Sequence, residues 1–418
     1  PDQEITELSE STSPDHSTFT IVGLNQNYSV GEKILVTITS RDHNNKLKRY
    51  GGDFFKVKLF NSELKASVYG EVVDHRNGTY SASLLLPWEG QAQVSVRLEH
   101  SSEVVQILKK YRESSFTRSH YNGHFEGPGP NKTRISEVVP CNLKWGGNGS
   151  WIKGNCCCEY KDIKTGTVWH CERPKKLSCD RLVHHSRGDN GMFICQNKED
   201  LKTYVIMIEL RICLQPFFSD KCFFALDRTE RCRPGLTTPV PAGFYLNDVW
   251  KSFVCKTQQF NSTKTGNCLK NKIVYLMGDS TTRQWFEFLE RKVPGKLSSI
   301  KRMDLHTPPT GGPLMAVELT NNIIVHWGPH GVPLRFTKML ITDLHYISND
   351  IDEIAGGSHA VIVFTIAAHL VFHPLTFYVH EVAKIRQSVV SLLSRAPETL
   401  VIINFEILQE KGIFTLPP

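Results

Sequence analysis

The sequence predicts a multidomain chain in three parts: an N-terminal β-sandwich, a disulfide-rich centre and a C-terminal α/β domain on a parallel sheet. Three observations lead there. Short alternating strands with turn residues between them fill positions 17–100. All 12 cysteines lie between Cys141 and Cys268. From Lys272 onward, apolar runs alternate with helical stretches. A chain of 418 residues suits two or three domains, each with its own core. The formal charge of +7 is mild, and no basic run is interleaved with aromatics, so nucleic-acid binding is not expected. No run of about 18 apolar residues marks a membrane span. The chain starts at Pro1 without a methionine, and a removed signal peptide or N-terminal anchor is expected before it.

Residues 1–16 are polar and acidic and read as a flexible leader. Strands are expected at 19–22, 33–39, 54–60 and 91–98, with two more on either side of the Asn77-Gly78 turn. Residues 101–140 carry few apolar clusters. Gly127-Pro128-Gly129-Pro130 is strong punctuation, and this stretch reads as linker.

Residues 141–270 form the cysteine module: Cys141, Cys156, Cys157, Cys158, Cys171, Cys179, Cys195, Cys213, Cys222, Cys232, Cys255 and Cys268. An even number in one region suggests disulfides in an oxidising compartment. The alternative is zinc, but the adjacent Cys156-Cys157-Cys158 suits a tetrahedral site poorly, and no metal is expected. Five glycosylation sequons agree with an extracellular or lumenal setting: Asn27, Asn77, Asn131, Asn148 and Asn261. Strands are expected at 168–171 and 204–208. Trp145, Trp151 and Trp169 are expected to pack on disulfides rather than line a sugar surface. The pairing of the cysteines does not follow from their order.

Residues 271–418 read as alternating strand and helix. Strands are expected at 273–277, 322–327, 361–366 and 400–403. A helix follows the first of them through Leu289, 337–354 is partly helical, and 377–393 is an amphipathic helix. Such alternation implies a parallel sheet covered on both faces. Between the first strand and its helix lies Gly278-Asp279-Ser280-Thr281-Thr282-Arg283. Gly278 permits a sharp turn, and the short oxygens after it are helix-start residues. Ser280 therefore sits at the carboxyl end of a strand, where open α/β sheets keep their sites, with backbone N–H groups beside its hydroxyl. The other reading is an ordinary helix cap.

The segment around 74–80 and Trp88-Glu89-Gly90 resembles a filamin-type, immunoglobulin-like repeat. Residues 277–285, Met-Gly-Asp-Ser-Thr-Thr-Arg-Gln-Trp, resemble the first block of the PC-esterase branch of SGNH hydrolases. With a neurexophilin-like cysteine region between them, the chain resembles the NXPE family of neurexophilin and PC-esterase domain proteins. The resemblance implies an SGNH-type domain with Ser280 as nucleophile and its backbone N–H as an oxyanion donor. Gly278 and Asp279 would complete the block, and Arg283 would orient a substrate oxygen or acyl group. A Gly-x-His-like corner of the family corresponds to Ala367-Ala368-His369, which implies His369 as an oxyanion donor. His373 and His380 are expected to be exposed or capping.

The family's general base lies in an Asp-x-x-His block near the C-terminus. Residues 404–418 hold neither aspartate nor histidine. An alternative or truncated terminus, an incomplete domain and little turnover are the expectation for this chain. By resemblance, the protein is a secreted or Golgi-lumen glycoprotein acting as a carbohydrate O-acetyltransferase or esterase on a glycan or sialoglycoprotein. No cofactor is expected to be tightly bound, with acetyl-CoA as a possible donor. The competing class is a neurexophilin-like ligand that binds a cell-surface protein without catalysis.

Overall fold

The computed structural model describes residues 7–25, 28–113, 121–143, 156–163, 165–188, 210–215, 230–233, 235–293, 313–331, 338–370, 373 and 375–404. They divide into two compact units. One takes Pro1–Tyr111 with Ile194–Gln259, the other Arg112–Phe193 with Phe260–Pro418. Among the described residues no helix is long and apolar enough to cross a membrane.

In the first unit, period-2 alternation buries every second side chain of Lys33–Asp42, Phe54–Asn61, Thr79–Leu85 and Gly90–His100. Four strands form one sheet in the order Thr12–Val22, Lys33–Asp42, Thr79–Leu85, Glu71–Asp74. Seven form a second, centred on Phe54–Asn61 and Gly90–His100. Val36, Ile38, Tyr80 and Leu84 of the first share one core with Val57, Leu59, Val94 and Val96 of the second.

The leader reading fails from residue 8 onward. A 3₁₀ turn spans Leu8–Glu10 and a strand runs from Thr12. Its first residues are polar because polar partners hold them. The Thr12 hydroxyl donates to Asp53 Oδ1 at 2.7 Å, and the Ser17 hydroxyl donates to the Ser13 carbonyl at 2.6 Å. Asp53 also accepts from the Ser40 hydroxyl and the Ser102 N–H. Beside it, Lys48 pairs with Glu103 at 2.6 Å, both all but buried. Burial alone would raise the Glu103 carboxyl, but Lys48 and Tyr50 bond it and hold it down at about 2.

The expected linker is largely regular structure: a helix Ser102–Glu113 and an antiparallel pair, Tyr121–Pro128 with Arg134–Leu143. The Gly-Pro punctuation is real, since it turns this hairpin. Gly123, however, is a strand residue. A Cβ there would come within 2.3 Å of Cys141 Sγ. The glycine makes room for a disulfide lying across the strand.

The cysteine region is not one module. Its first part joins the hairpin in a six-stranded sheet of the second unit, in the order Cys156–Lys161, Val168–Glu172, Arg134–Leu143, Tyr121–Pro128, Leu182–Arg187, Met339–Leu340. Its later strands, Leu210–Gln215, Gly243–Leu246 and Val249–Ser252, extend the second sheet of the first unit. Cys141 bonds Cys171, Cys158 bonds Cys179 and Cys232 bonds Cys255; Cys157 is also bonded. Cys268 is corrected to a free, exposed thiol. The Cys156 and Cys213 side chains, and Cys195 and Cys222 altogether, lie outside the described residues, as do Trp145, Trp151, residues 204–208 and the tail 405–418.

Trp169 is fully buried, stacked on His185 at 4.2 Å and edge-on to Tyr121 at 5.2 Å. Donor atoms of Cys141, Cys171 and His185 lie within 4.8 Å of one another, but the two sulfurs are already joined. His185 is fully buried, and neither ring nitrogen has a side-chain hydrogen-bond partner among the described residues. Burial pushes it down to about 3, with the nearby Asn122 backbone offsetting a part. Asn77, Asn131 and Asn261 are exposed.

Two predictions follow from these buried groups. Lys48→Met leaves Glu103 charged and unpaired, and should destabilise the first unit by about 3 kcal/mol in chemical denaturation; adding Glu103→Leu should restore most of it. His185 takes up a proton far more readily when unfolded. Its contribution is therefore whole above about pH 6.5 and is lost as pH falls from there toward 3. Between pH 6.5 and 5 the wild type should lose about 2 kcal/mol more than His185→Phe, as read from melting curves at each pH.

Candidate active site

Residues 273–403 hold a five-stranded sheet. In chain order its elements are β1 (Ile273–Gly278), α1 (Ser280–Lys292), β2 (Leu314–Glu318), β3 (Ile323–Pro329), α2 (Ile347–Glu353), β4 (Ala360–Phe364), α3 (Ala367–Leu370), α4 (Leu375–Arg395) and β5 (Leu400–Ile403). The sheet order is β2-β3-β1-β4-β5; β1 runs parallel to β3 and β4, β4 parallel to β5, and β2 is an antiparallel edge. The apolar run of β1 reflects burial on both faces. Val274 and Leu276 pack with Phe286 of α1, while Met277 packs with Ile351 of α2 and Ile385 of α4. The chain thus leaves β1 toward one face and β4 toward the other. The carboxyl ends of these neighbouring strands, where the connections part, are where open α/β sheets bind their ligands.

Gly278 ends β1 with φ +140°. A Cβ there would meet the Thr365 carbonyl oxygen at 2.7 Å and its Cγ2 at 2.6 Å. Asp279 follows as helix cap, its Oδ1 accepting the Thr281 N–H at 2.8 Å. Its carboxylate is buried, and Oδ2 has no hydrogen-bond partner among the described residues. Ser280, the first residue of α1, is exposed. Thr282 is fully buried: its hydroxyl donates to the Asp279 carbonyl at 3.0 Å and accepts the Trp327 indole N–H at 3.2 Å. Arg283 is held at Nε by Glu287 at 2.9 Å, with its guanidinium 5.9 Å from the Trp327 ring centre.

Two histidines meet at the same edge. His330 directly follows β3, and its N–H donates to the Gly278 carbonyl at 3.1 Å. His369 lies in α3, just past β4. Its Nδ1 is 2.8 Å from His330 Nε2. The six-stranded sheet supports this turn: Leu370, next to His369, is buried in one cluster with Tyr121, Phe125 and Trp169. His373 is 3.2 Å from the Tyr121 hydroxyl and packs on Phe377 at 5.0 Å. His380 lies on an exposed part of α4, lowered by partial burial and then by Lys384.

Sequence reasoning named Gly278, Asp279, Ser280, Arg283 and His369 but missed His330. The available signal was a histidine directly after an apolar strand and before a glycine, the same strand-end position that singled out Ser280. The proximity of the two rings, 39 residues apart in sequence, could not be read from either segment.

Two family models match the chain. One, described as Neurexophilin, covers residues 2–199; the other, described as NXPE family member 4-like, C-terminal domain, covers residues 250–415. The first match begins well ahead of the cysteines, and the second includes the whole Ser280 corner and residues 404–415 after Ile403. Protein trichome birefringence-like 31 of Arabidopsis thaliana is 29% identical over 115 residues, which is 27% of this chain and 27% of that one. Of solved structures, the bacterial integrin-binding protein invasin matches at 15% identity and a TM-score of 0.17, covering 50% of this chain and 41% of its own. The Escherichia coli adhesin FdeC matches at 11% and 0.17, covering 49% and 65%. Scores that low carry no argument about fold or function.

The corner yields a prediction of its own. Gly278→Ala forces a side chain against a main-chain oxygen that cannot swing away. It should destabilise the second unit by at least about 2 kcal/mol in denaturant unfolding, whereas Ala at the exposed Gln284 should cost almost nothing.

Proposed function

The chain belongs to the NXPE family, and from that premise we propose that its β1–β5 layer is an acyl-transfer site with Ser280 as the nucleophile. The observation that carries the proposal is an exposed serine at a helix N-terminus, set at the parting of two strands beside a hydrogen-bonded histidine pair. The fold that goes with it is an SGNH-type layer, with a filamin- or immunoglobulin-type sandwich in the first unit.

In this reading Ser280 Oγ attacks the carbonyl carbon of an acyl donor. The C–O bond forms as the hydroxyl proton passes to water, and the carbonyl oxygen becomes an oxyanion. The positive end of α1, the Ser280 N–H and a His369 N–H stabilise that charge. The donor's leaving group departs with a proton. An acceptor hydroxyl then attacks the acyl-serine: a sugar hydroxyl gives transfer and water gives hydrolysis. Thr282 holds the corner rather than meets the substrate, since its hydroxyl is spent on the Asp279 carbonyl and on Trp327, while Asp279 caps the helix start through Oδ1. Arg283 orients an acyl or sugar oxygen from one turn into α1. The substrate is a glycan of sialic-acid type, and acetyl-CoA is the donor considered first. Disulfides and family are consistent with the secretory pathway, and the Golgi lumen or the exterior is the proposed compartment.

A second reading rests on the Neurexophilin match over residues 2–199: a ligand for a cell-surface protein, without catalysis. One experiment separates the two. Cells expressing the full chain should display more O-acetylated or fewer O-acetylated sialoglycans than cells expressing Ser280→Ala. Equal levels would sink the acyl-transfer reading, and unchanged capture of cell-surface protein by both chains would then favour the ligand.

A further inference from the structure

We propose that His330 is a positioning residue for His369: its Nε2–H donates to His369 Nδ1 and holds His369 in the tautomer that carries its proton on Nε2. The inference rests on the reading of His369 as an oxyanion donor at the Ser280 corner.

The argument starts from the chemistry of two imidazoles. A neutral ring has one N–H and one lone pair, so a nitrogen-to-nitrogen contact of 2.8 Å needs one proton between the rings. If that proton belongs to His330, then His369 accepts at Nδ1 and must carry its own proton at Nε2. If it belongs to His369, then Nε2 presents a lone pair. The first arrangement turns a donor toward a developing negative charge; the second repels it. The direction of one hydrogen bond therefore decides whether His369 can serve an oxyanion.

The structure makes His330 the fixed partner. Its side is all but buried, at 5% exposure, whereas His369 is partly open. Its backbone N–H is tied to the Gly278 carbonyl, and the next N–H, of Gly331, donates to the His345 carbonyl at 2.6 Å. The peptide that shapes the serine's corner thus also locates the ring that orients His369. His369 itself hangs on a single turn of helix, anchored through Leu370. A partner's hydrogen bond is the means by which proteins settle a histidine's tautomer.

The test uses the full chain, as wild type, His330→Phe and His330→Gln. Side-chain ¹⁵N NMR reads the His369 tautomer directly. The wild type should show His369 protonated at Nε2 alone, His330→Phe should show both tautomers, and the glutamine amide of His330→Gln should restore the single form. In parallel, a fluorophosphonate probe reports Ser280 reactivity. His330→Phe should label about tenfold more slowly, the scale of losing an orienting hydrogen bond, with His330→Gln recovering most of the rate. An unchanged His369 tautomer in His330→Phe, or identical behaviour of the two variants, would overturn the proposal. Wild-type labelling no faster than Ser280→Ala would instead count against Ser280 as nucleophile, and the NMR comparison would still decide the histidine pair.

Discussion

The contact on which the candidate site depends is the approach of the β1 end to Thr365. The backbone passes so close to the Thr365 carbonyl that no side chain fits at residue 278. The turn this forces puts Asp279 in position to cap α1 and leaves Ser280 exposed as its first residue. The Gly278 carbonyl also holds the His330 N–H, so the same peptide organises the neighbouring strand end. A serine on an ordinary helix cap would have no such histidines beside it. Here the Gly278 carbonyl holds His330, and with it His369, at the same strand end.

Elsewhere in the molecule polar groups and disulfides do work that apolar patterning does not announce. The start of the first long strand is held by Asp53, Ser40 and Ser102 rather than by buried aliphatics. The Lys48–Glu103 pair sits in the same buried patch, and such a pair stabilises only while both partners remain. In the six-stranded sheet the Cys141–Cys171 bridge lies against Gly123, with Trp169 and His185 stacked nearby. That sheet is more than a stapled appendage. Its Tyr121, Phe125 and Trp169 form the floor on which Leu370, and so the turn carrying His369, is packed. Folding of the disulfide region and geometry of the candidate site are therefore linked through one core.

The sequence reading failed where tertiary partners replace local signals. Residues 12–16 looked solvated because their side chains are polar, yet Thr12 and Ser13 are buried against other polar groups. Residues 121–128 looked like linker because glycine and proline punctuate loops. In this strand the glycine is demanded by a sulfur atom from another strand. The cysteines looked like one module because they are contiguous, but their strands join two different units. Cys268 completed an even count and is nonetheless free. Each error came from treating composition as a property of the segment, when the reason for the composition lay in a distant one.

What the sequence by itself determined is the set of local decisions: the alternating strands of residues 33–98, the parallel-type apolar runs at 273–277 and 361–366, of which the structure makes Ala360–Phe364 the strand, the helices around them, and the strand–turn–helix corner that presents Ser280. These follow from side-chain period and from the turn and capping chemistry of a few adjacent residues. Only the tertiary structure decided which cysteines pair, that the supposed linker is a strand, and that His330 meets His369. Those outcomes depend on contacts between residues tens to hundreds of positions apart, and a local pattern carries no term for a neighbour that the chain brings near only when it folds.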